Sequence, residues 1–331
     1  MTDRKVLVTG GAGFVGATLV EQLAAAGPVR VLDDLSTGRA DSVTGIRGAQ
    51  LMVGSVLDED AVSSALDGVD AVFHLASRGV RYSIHAPRET HDVNATGTLT
   101  LLEASRRAGI RRFVYVSSSE VYGSAQTVPM NELHPTLPNT VYGGSKLAGE
   151  AYARAYHRTY GLPTVTVRLF NTYGPRSHHE GDSGEVIPKF LLRARNGLPP
   201  LVFGDGAQTR DFTFVTDIAR GMVAAAAADE AIGETINLGS GKEISITELA
   251  SRILRLTGHG DLDPEYRAPR PGDVHRLLAD ATKARKLLRW APSVDLGEGL
   301  QRLCAWHEAV GTDWSAALAE DAEINWTAGG I

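Results

Sequence analysis

Tyr142 and Lys146 stand four residues apart in Tyr142-Gly143-Gly144-Ser145-Lys146. The stretch from Tyr142 to Tyr160, ended by Gly161, reads as a helix, so the two side chains share one face near its start. An ammonium beside a phenol favours the phenolate, and the pair therefore predicts a tyrosine with a lowered pKa. Such a tyrosine can take a proton from a sugar or alcohol hydroxyl while hydride leaves to a cofactor. Alone, a Tyr-x-x-x-Lys pair means little; its context gives it weight. Ser117-Ser118-Ser119-Glu120 closes an apolar run, Arg112–Ser117, that reads as a strand. In a parallel α/β sheet, ligands bind beyond the carboxyl ends of strands, which puts these hydroxyls within reach of the reacting oxygen.

The cofactor such chemistry needs has a candidate seat. Thr9-Gly10-Gly11-Ala12-Gly13-Phe14-Val15-Gly16 lies between a first strand, Lys5–Thr9, and a helix from Phe14 to about Ala26. Glycines at 10, 13 and 16 permit a tight turn, close approach to a pyrophosphate and close helix–sheet packing. The helix amino terminus, with Phe14 and Val15 in its first turn, offers free N–H groups to phosphate. Asp33 and Asp34 end the second strand, where a carboxylate accepts the adenosine ribose hydroxyls and repels a 2′-phosphate; this favours NAD over NADP. Arg39 follows closely enough to soften that preference, and Asp58, after the third strand, is placed to meet the adenine amino group or simply to face solvent.

These residues need a frame, and the pattern supplies one. Apolar runs at Arg30–Asp33, Gln50–Val53, Ala71–Leu75, Arg112–Ser117 and Thr164–Leu169 alternate with amphipathic stretches, among them His91 to Arg107. The prediction is an α/β fold, a Rossmann-type doubly wound parallel sheet with right-handed crossovers, joined to a smaller mixed α/β substrate-binding domain. The first domain spans 1–172, with 213–240 returning to it; the second takes 173–212 and 241–311; residues 312–331 read as a loosely attached tail. Further helices are expected at Val186–Arg195, Ala224–Ala228, Ile246–Leu256, Thr282–Leu288 and Leu296–Val310, with a strand at Ile236–Leu238. A chain of 331 residues and net charge −6, with one cysteine, Cys304, has no intramolecular disulfide and no Cys-rich zinc site. Its mild acidity argues against nucleic-acid binding. The absence of a long apolar run and of a signal-peptide layout makes a cytoplasmic enzyme, without a membrane partner, the expectation.

Taken together, TGGAGFVG (9–16), LDDLSTG (32–38), HLAS (74–77), SSSEVYG (117–123), YGGSK (142–146), RLFNTYGPR (168–176), GDGAQTRDFTFVTD (204–217) and RPGDV (270–274) resemble the extended short-chain dehydrogenase/reductase superfamily, in its nucleotide-sugar epimerase/dehydratase branch. The resemblance runs from about residue 4 to 310. It implies a bound NAD that is reduced and reoxidised within one cycle, and a nucleoside-diphosphate sugar in the cleft between the domains. By position, it makes Tyr142 the base and gives Lys146 the nicotinamide ribose. It offers Ser118, with Ser119 as rival, as the hydroxyl partner. Leu75, Ala76, Ser77 and Asn94 join the cofactor set. Asn171, Arg210, Arg270 and Asp273 fall to the sugar diphosphate, while Val186, Ile187 and Phe203 fall to the base and its ribose. Guanidinium groups suit that diphosphate, because they make paired hydrogen bonds to phosphate oxygens.

Two features bear on the reaction. Glu120 sits where dehydratases and uronate decarboxylases of this branch keep an acid/base. Gly79-Val80-Arg81-Tyr82-Ser83 resembles a segment of UDP-glucuronate 4-epimerases, so that Arg81, Ser83 and Arg176 could meet a sugar carboxylate. The reading places a UDP-sugar 4-epimerase first, UDP-glucuronate ahead of UDP-glucose/galactose, with a dehydratase or decarboxylase using Glu120 as the alternative. A non-catalytic NAD-sensing module would not need the Ser, Tyr and Lys set. His178, His179 and Glu180, near Asp182, are too close together to complete a metal shell alone, so no metal is expected. The family implies a homodimer through the helices near 91–108 and 142–160.

Overall fold

The structure is a computed structural model that describes residues 5–326. Six strands appear in the first half: β1 (Lys5–Thr9), β2 (Val29–Asp33), β3 (Ala49–Val53), β4 (Val69–His74), β5 (Arg112–Ser118) and β6 (Thr164–Leu169). Six shorter ones follow: β7 (Asn171–Tyr173), β8 (Leu201–Phe203), β9 (Thr209–Phe214), β10 (Thr235–Leu238), β11 (Glu243–Ser245) and β12 (Glu265–Arg267). The main sheet runs β3-β2-β1-β4-β5-β6-β10, with every pair parallel. Its strands are mostly apolar because helices cover both faces. Along β1 the burial alternates in direction: Val6 and Val8 join one core with Leu19, Val20, Ile218 and Met222, while Leu7 joins the other with Val62, Leu101 and Leu102. Strand order reverses between β1 and β4, the switch point at which ligands bind in such sheets.

The Val141–Tyr160 helix carries Tyr142 and Lys146 as expected; Thr140 caps it, its Oγ1 accepting from Gly143 N at 3.2 Å, and Gly161 ends it. The segment expected as one helix from His91 is broken: Pro87–His91 is followed by a π turn, Asp92–Thr96, and the α-helix resumes at Gly97–Arg107. The Ala-rich piece at 224–228 is the end of a longer helix, Val215–Ala227.

The smaller unit is built from two small sheets. β7 pairs β9 in parallel, β9 pairs β11 antiparallel, and β12 pairs β8 in parallel. Phe190, Val202, Phe212, Phe214, Leu249, Ile253 and Leu303 form its core. Ser245 caps the Ile246–Leu256 helix by accepting from Glu248 N at 3.1 Å, and Ile246, Leu249, Ala250 and Ile253 give it one buried face. The two units interleave. The Val215–Ala227 helix and β10 return to the main sheet, and Ala281, Ala284, Leu288 and Trp290 pack with that first core rather than the second. Asp211 on β9 pins the crossing by accepting from Ser240 N (2.7 Å), Gly241 N (2.9 Å) and Ala279 N (3.1 Å).

The expectation of a loose tail at 312–331 fails for residues 312–326, and 327–331 lie outside the described residues. Trp314–Ala319 is a helix, and Asp321, Asn325 and Trp326 are buried against the body of the protein. Among the described residues, no helix is long and apolar enough to cross a membrane.

Candidate active site

One cavity of about 480 Å³ runs from the Gly10–Gly16 loop, past the ends of β4, β5 and β6, to the second unit. At the first end the glycines are required by geometry. Gly10 has φ 68°, and a Cβ on it would lie 2.6 Å from Ala76 N; one on Gly16 would lie 2.1 Å from Gly10 O. Gly10, Gly13, Phe14, Val15 and Gly16 line the cavity, and the Phe14–Ala24 helix has no side-chain cap and no acidic residue in its first turn. Its amino terminus thus keeps free donors for an anion. Asp33 is held by Ala12 N and Leu35 N, both at 2.9 Å; burial raises its pKa while those N–H groups pull it down. Asp34 lies beside it, 3.6 Å from Arg78. Leu75, Ala76 and Ser77 complete this wall.

Three sequence expectations at this end change. Asp58 caps the Glu59–Leu66 helix through Asp60 N and Ala61 N, stays exposed, and is not among the cavity-lining residues. Asn94 is buried behind the wall: its amide brackets Arg78 (N at 2.8 Å, O at 3.1 Å) and donates to Ser145 Oγ at 3.0 Å, so it positions the Ala76–Arg78 loop. Arg39 pairs with Asp41 on the surface, with its side chain 67% exposed, and is not among the cavity-lining residues.

Past the dinucleotide end, Tyr142, Lys146, Ser118, Ser119 and Glu120 all line the cavity. Ser118 acts on the Tyr142 phenol and lowers its pKa. Ser118 also accepts from Glu120 N at 3.2 Å, which fixes its rotamer. The charge state differs from the expectation. Burial pushes Tyr142 up to about 12; Ser118 lowers it, and the Glu120 and Glu185 carboxylates raise it further. Lys146 is buried over the Tyr115 ring, 5.4 Å from its centroid, and burial brings it down to about 7 despite Glu150. The reason is desolvation, which disfavours both the phenolate and the ammonium. A buried scaffold holds the pair in place: Arg168 grips Glu150 at 2.6 Å, and Ser117 donates to Glu150, also at 2.6 Å.

Lys146 carries a testable pH signature. Its folded value lies below its usual 10.5, so the unfolded chain binds more protons between about pH 7 and 10.5, and this group makes stability rise with pH across that window. We expect the wild type to gain on Lys146→Met by up to about 1.4 kcal/mol per pH unit there, in denaturant unfolding at matched cofactor content. Parallel profiles of the two proteins would contradict a desolvated Lys146.

Toward the second unit, Arg210 and Arg270 converge on Asp273 Oδ1 at 2.7 and 2.6 Å. Arg81 faces them: burial brings it down to about 10, and Arg270 is its strongest charged neighbour. Glu120 is buried, which raises its pKa, while Arg210, Arg270 and Arg81 pull it back. Asn171 Oδ1 is buried without a partner at the cavity wall, an acceptor waiting for a ligand donor. Val186, Ile187 and Phe203 line the far end. Two expected substrate residues are elsewhere. Ser83 is buried with its hydroxyl on Val80 O at 2.6 Å, and Arg176, at φ 68°, reaches out to Glu21 at 2.5 Å. Neither is among the cavity-lining residues.

The sequence reading missed Glu185, directly before the Val186–Arg195 helix. Its Oε2 is buried without a partner, and burial pushes it up to about 7 against His178 and Arg81. Its one signal was its helix N-cap position. His178 and His179 lie 3.7 and 3.8 Å from Glu180; among the described residues no group of His, Cys, Asp or Glu is arranged to hold a metal.

The site joins a glycine-loop helix end, a Tyr-Lys pair and an arginine cluster in one cavity, and comparison with known proteins gives the family. Residues 7–303 match the GDP-mannose 4,6 dehydratase family, and the chain belongs to it. It is 38% identical over 307 residues to the UDP-glucose 4-epimerase of Mycolicibacterium smegmatis, covering 90% of this chain and 96% of that one. An epimerase structure from Methanothermobacter thermautotrophicus superposes with a TM-score of 0.90 at 38% identity, over 96% of this chain and 95% of that one. The dTDP-glucose 4,6-dehydratase of Streptomyces venezuelae, solved with NAD bound, superposes at 0.88 with 34% identity, over 95% and 99%. The chain is thus an enzyme of the nucleotide-sugar epimerase/dehydratase group. NAD fits the features described here: an uncapped helix end, a glycine turn closed to any side chain, and Asp33 at the tip of β2.

Proposed function

We propose that this enzyme is an NAD-dependent 4-epimerase of a UDP-sugar whose C6 group is neutral, of the glucose/galactose kind. The observation that carries this reading is that Ser118, Tyr142 and Lys146 line one cavity with the Gly10–Gly16 loop at one end and Arg81, Arg210 and Arg270 at the other. When bound, NAD would supply the acceptor of the C4 hydride and the donor that returns it to the other face, and its oxidised form a positive charge that would draw down the high phenol pKa. Tyr142 then takes the C4 hydroxyl proton, and Ser118 holds the same oxygen by hydrogen bonding. Lys146 secures the cofactor's ribose. The arginines hold the diphosphate while the 4-keto sugar turns its other face, and Tyr142 returns the proton.

The choice of sugar departs from the order reached on sequence. Of Arg81, Ser83 and Arg176, only Arg81 lines the cavity, and its strongest charged neighbour is a diphosphate arginine. A uronate carboxylate would also meet Glu120 and Glu185, both of which act electrostatically on Tyr142. A second reading, a 4,6-dehydratase or decarboxylase, is favoured by Glu120, a buried acid with a raised pKa at the sugar end. Product mass and NMR after incubation with UDP-glucose and UDP-glucuronate separate them. The expected result is UDP-galactose at unchanged mass, with slower or no conversion of the uronate. Loss of water from UDP-glucose, or of carbon dioxide from UDP-glucuronate, overturns the proposal.

A further inference from the structure

Residues of the Asp321–Trp326 segment reach the cavity, and this points to a binding element that the Tyr-Lys chemistry does not use. Asp321, Glu323, Asn325 and Trp326 all line the cavity. They are anchored to the Val186–Arg195 helix and the loop before it. Lys189 Nζ donates to Asp321 Oδ1 at 2.5 Å and to Ala322 O at 2.6 Å, and the Asp321 side chain is only 5% exposed. Arg193 lies 3.6 Å from Glu323. Asn325 Nδ2 donates to Gly181 O at 2.8 Å and Gly184 O at 3.3 Å. These contacts bring the Trp326 ring edge-on to Phe203 of β8, with centroids 4.7 Å apart and planes at 82°. Leu201 and Ile246 line the same end.

We infer that Asp321–Trp326 is a strap forming the outer wall of the nucleotide end, and that Trp326, with Phe203, makes the aromatic slot for a flat pyrimidine base. The inference rests on the nucleotide-sugar reading above. The two side chains present an apolar face and a perpendicular edge, a corner into which a planar ring packs on both. Asp321 is paired with Lys189 and Glu323 lies near Arg193, and beside these carboxylates the strap brings the Trp326 ring to the cavity. Because Asn325 holds the carbonyls of Gly181 and Gly184, the strap also fixes the loop that leads into Glu185, and it links the base end to the sugar end. The stacking surface is sequence-tolerant for pyrimidines, and both UDP and dTDP should sense it.

The test is a calorimetric titration of the NAD-loaded protein with UDP, dTDP and inorganic pyrophosphate. Wild type, Trp326→Phe, Trp326→Ala and Asp321→Asn are compared, with thermal unfolding as the check on folding. Trp326→Ala is expected to weaken UDP and dTDP by about tenfold or more, the scale of one lost base–aromatic stack. Pyrophosphate affinity stays unchanged, and Trp326→Phe recovers most of the loss. Asp321→Asn weakens both nucleotides by detaching the strap. Unchanged UDP affinity in Trp326→Ala, where wild type binds UDP, overturns the strap alone. Tighter binding does the same, because the strap would then be a competitor for the slot. Wild type that binds neither nucleotide overturns the nucleotide-sugar reading and the strap with it.

Discussion

Tyr142→Phe is expected to lower turnover by about 10³-fold while leaving NAD and UDP binding within a few-fold of wild type. The phenol lines the cavity beside Ser118, which puts its oxygen in position to exchange a proton with a sugar hydroxyl. The loss should be in kcat, because the ring remains to pack and only the proton route is cut. Ser118→Ala should cost less, since a hydrogen bond and not the base is lost. The phenol begins high, at about 12, under burial and two nearby carboxylates. Activity should therefore climb with pH up to the lower pKa that the phenol has beside the oxidised cofactor. A Phe variant that keeps a tenth or more of wild-type turnover would show that another group serves as base.

The second large effect belongs to Arg210→Ala. Arg210 is 6% exposed, donates to Asp273 at 2.7 Å and to Thr209 O at 2.8 Å, and is the strongest charge acting on Glu120. Its removal takes away a planar pair of donors for phosphate and leaves Glu120 less compensated. KM for the nucleotide sugar should rise by about 10²-fold, the scale of one or two charge-assisted hydrogen bonds, with a smaller fall in kcat. Arg210→Lys should recover little, because a single ammonium cannot form the paired contact. Steady-state kinetics and UDP titration check this. An unchanged KM would mean that the diphosphate lies elsewhere.

Local chemistry was legible in the sequence; contacts made at a distance were not. The glycine spacing at 10, 13 and 16, the i, i+4 pair at 142 and 146 and the apolar alternation of β1 to β6 are all written within a few residues. Gly10, Gly13, Gly16, Tyr142 and Lys146 all line one cavity. Arg176 sits in the same short motif as Asn171, yet it turns outward because its backbone is left-handed and Glu21, far back in the chain, claims it. Ser83 closes on its own backbone, and Asp58 on a helix end. Strands as short as β7 and β8 carry no period of their own and exist only through partners elsewhere. Trp326 and Phe203 meet across the whole second unit, so no window of sequence could announce the strap. The Lys146–Tyr142 pair was found by spacing, but its charge state depends on burial, which spacing does not report.

The central claim is a closed redox cycle at C4. Its most direct test is conversion of UDP-glucose carrying deuterium at C4, followed by mass spectrometry and NMR of the product. The account predicts UDP-galactose of unchanged mass with the deuterium still on C4, since the same hydrogen leaves and returns within one closed site. Deuterium found at C6 with loss of water, or released as a net oxidation that builds up reduced cofactor, would contradict it.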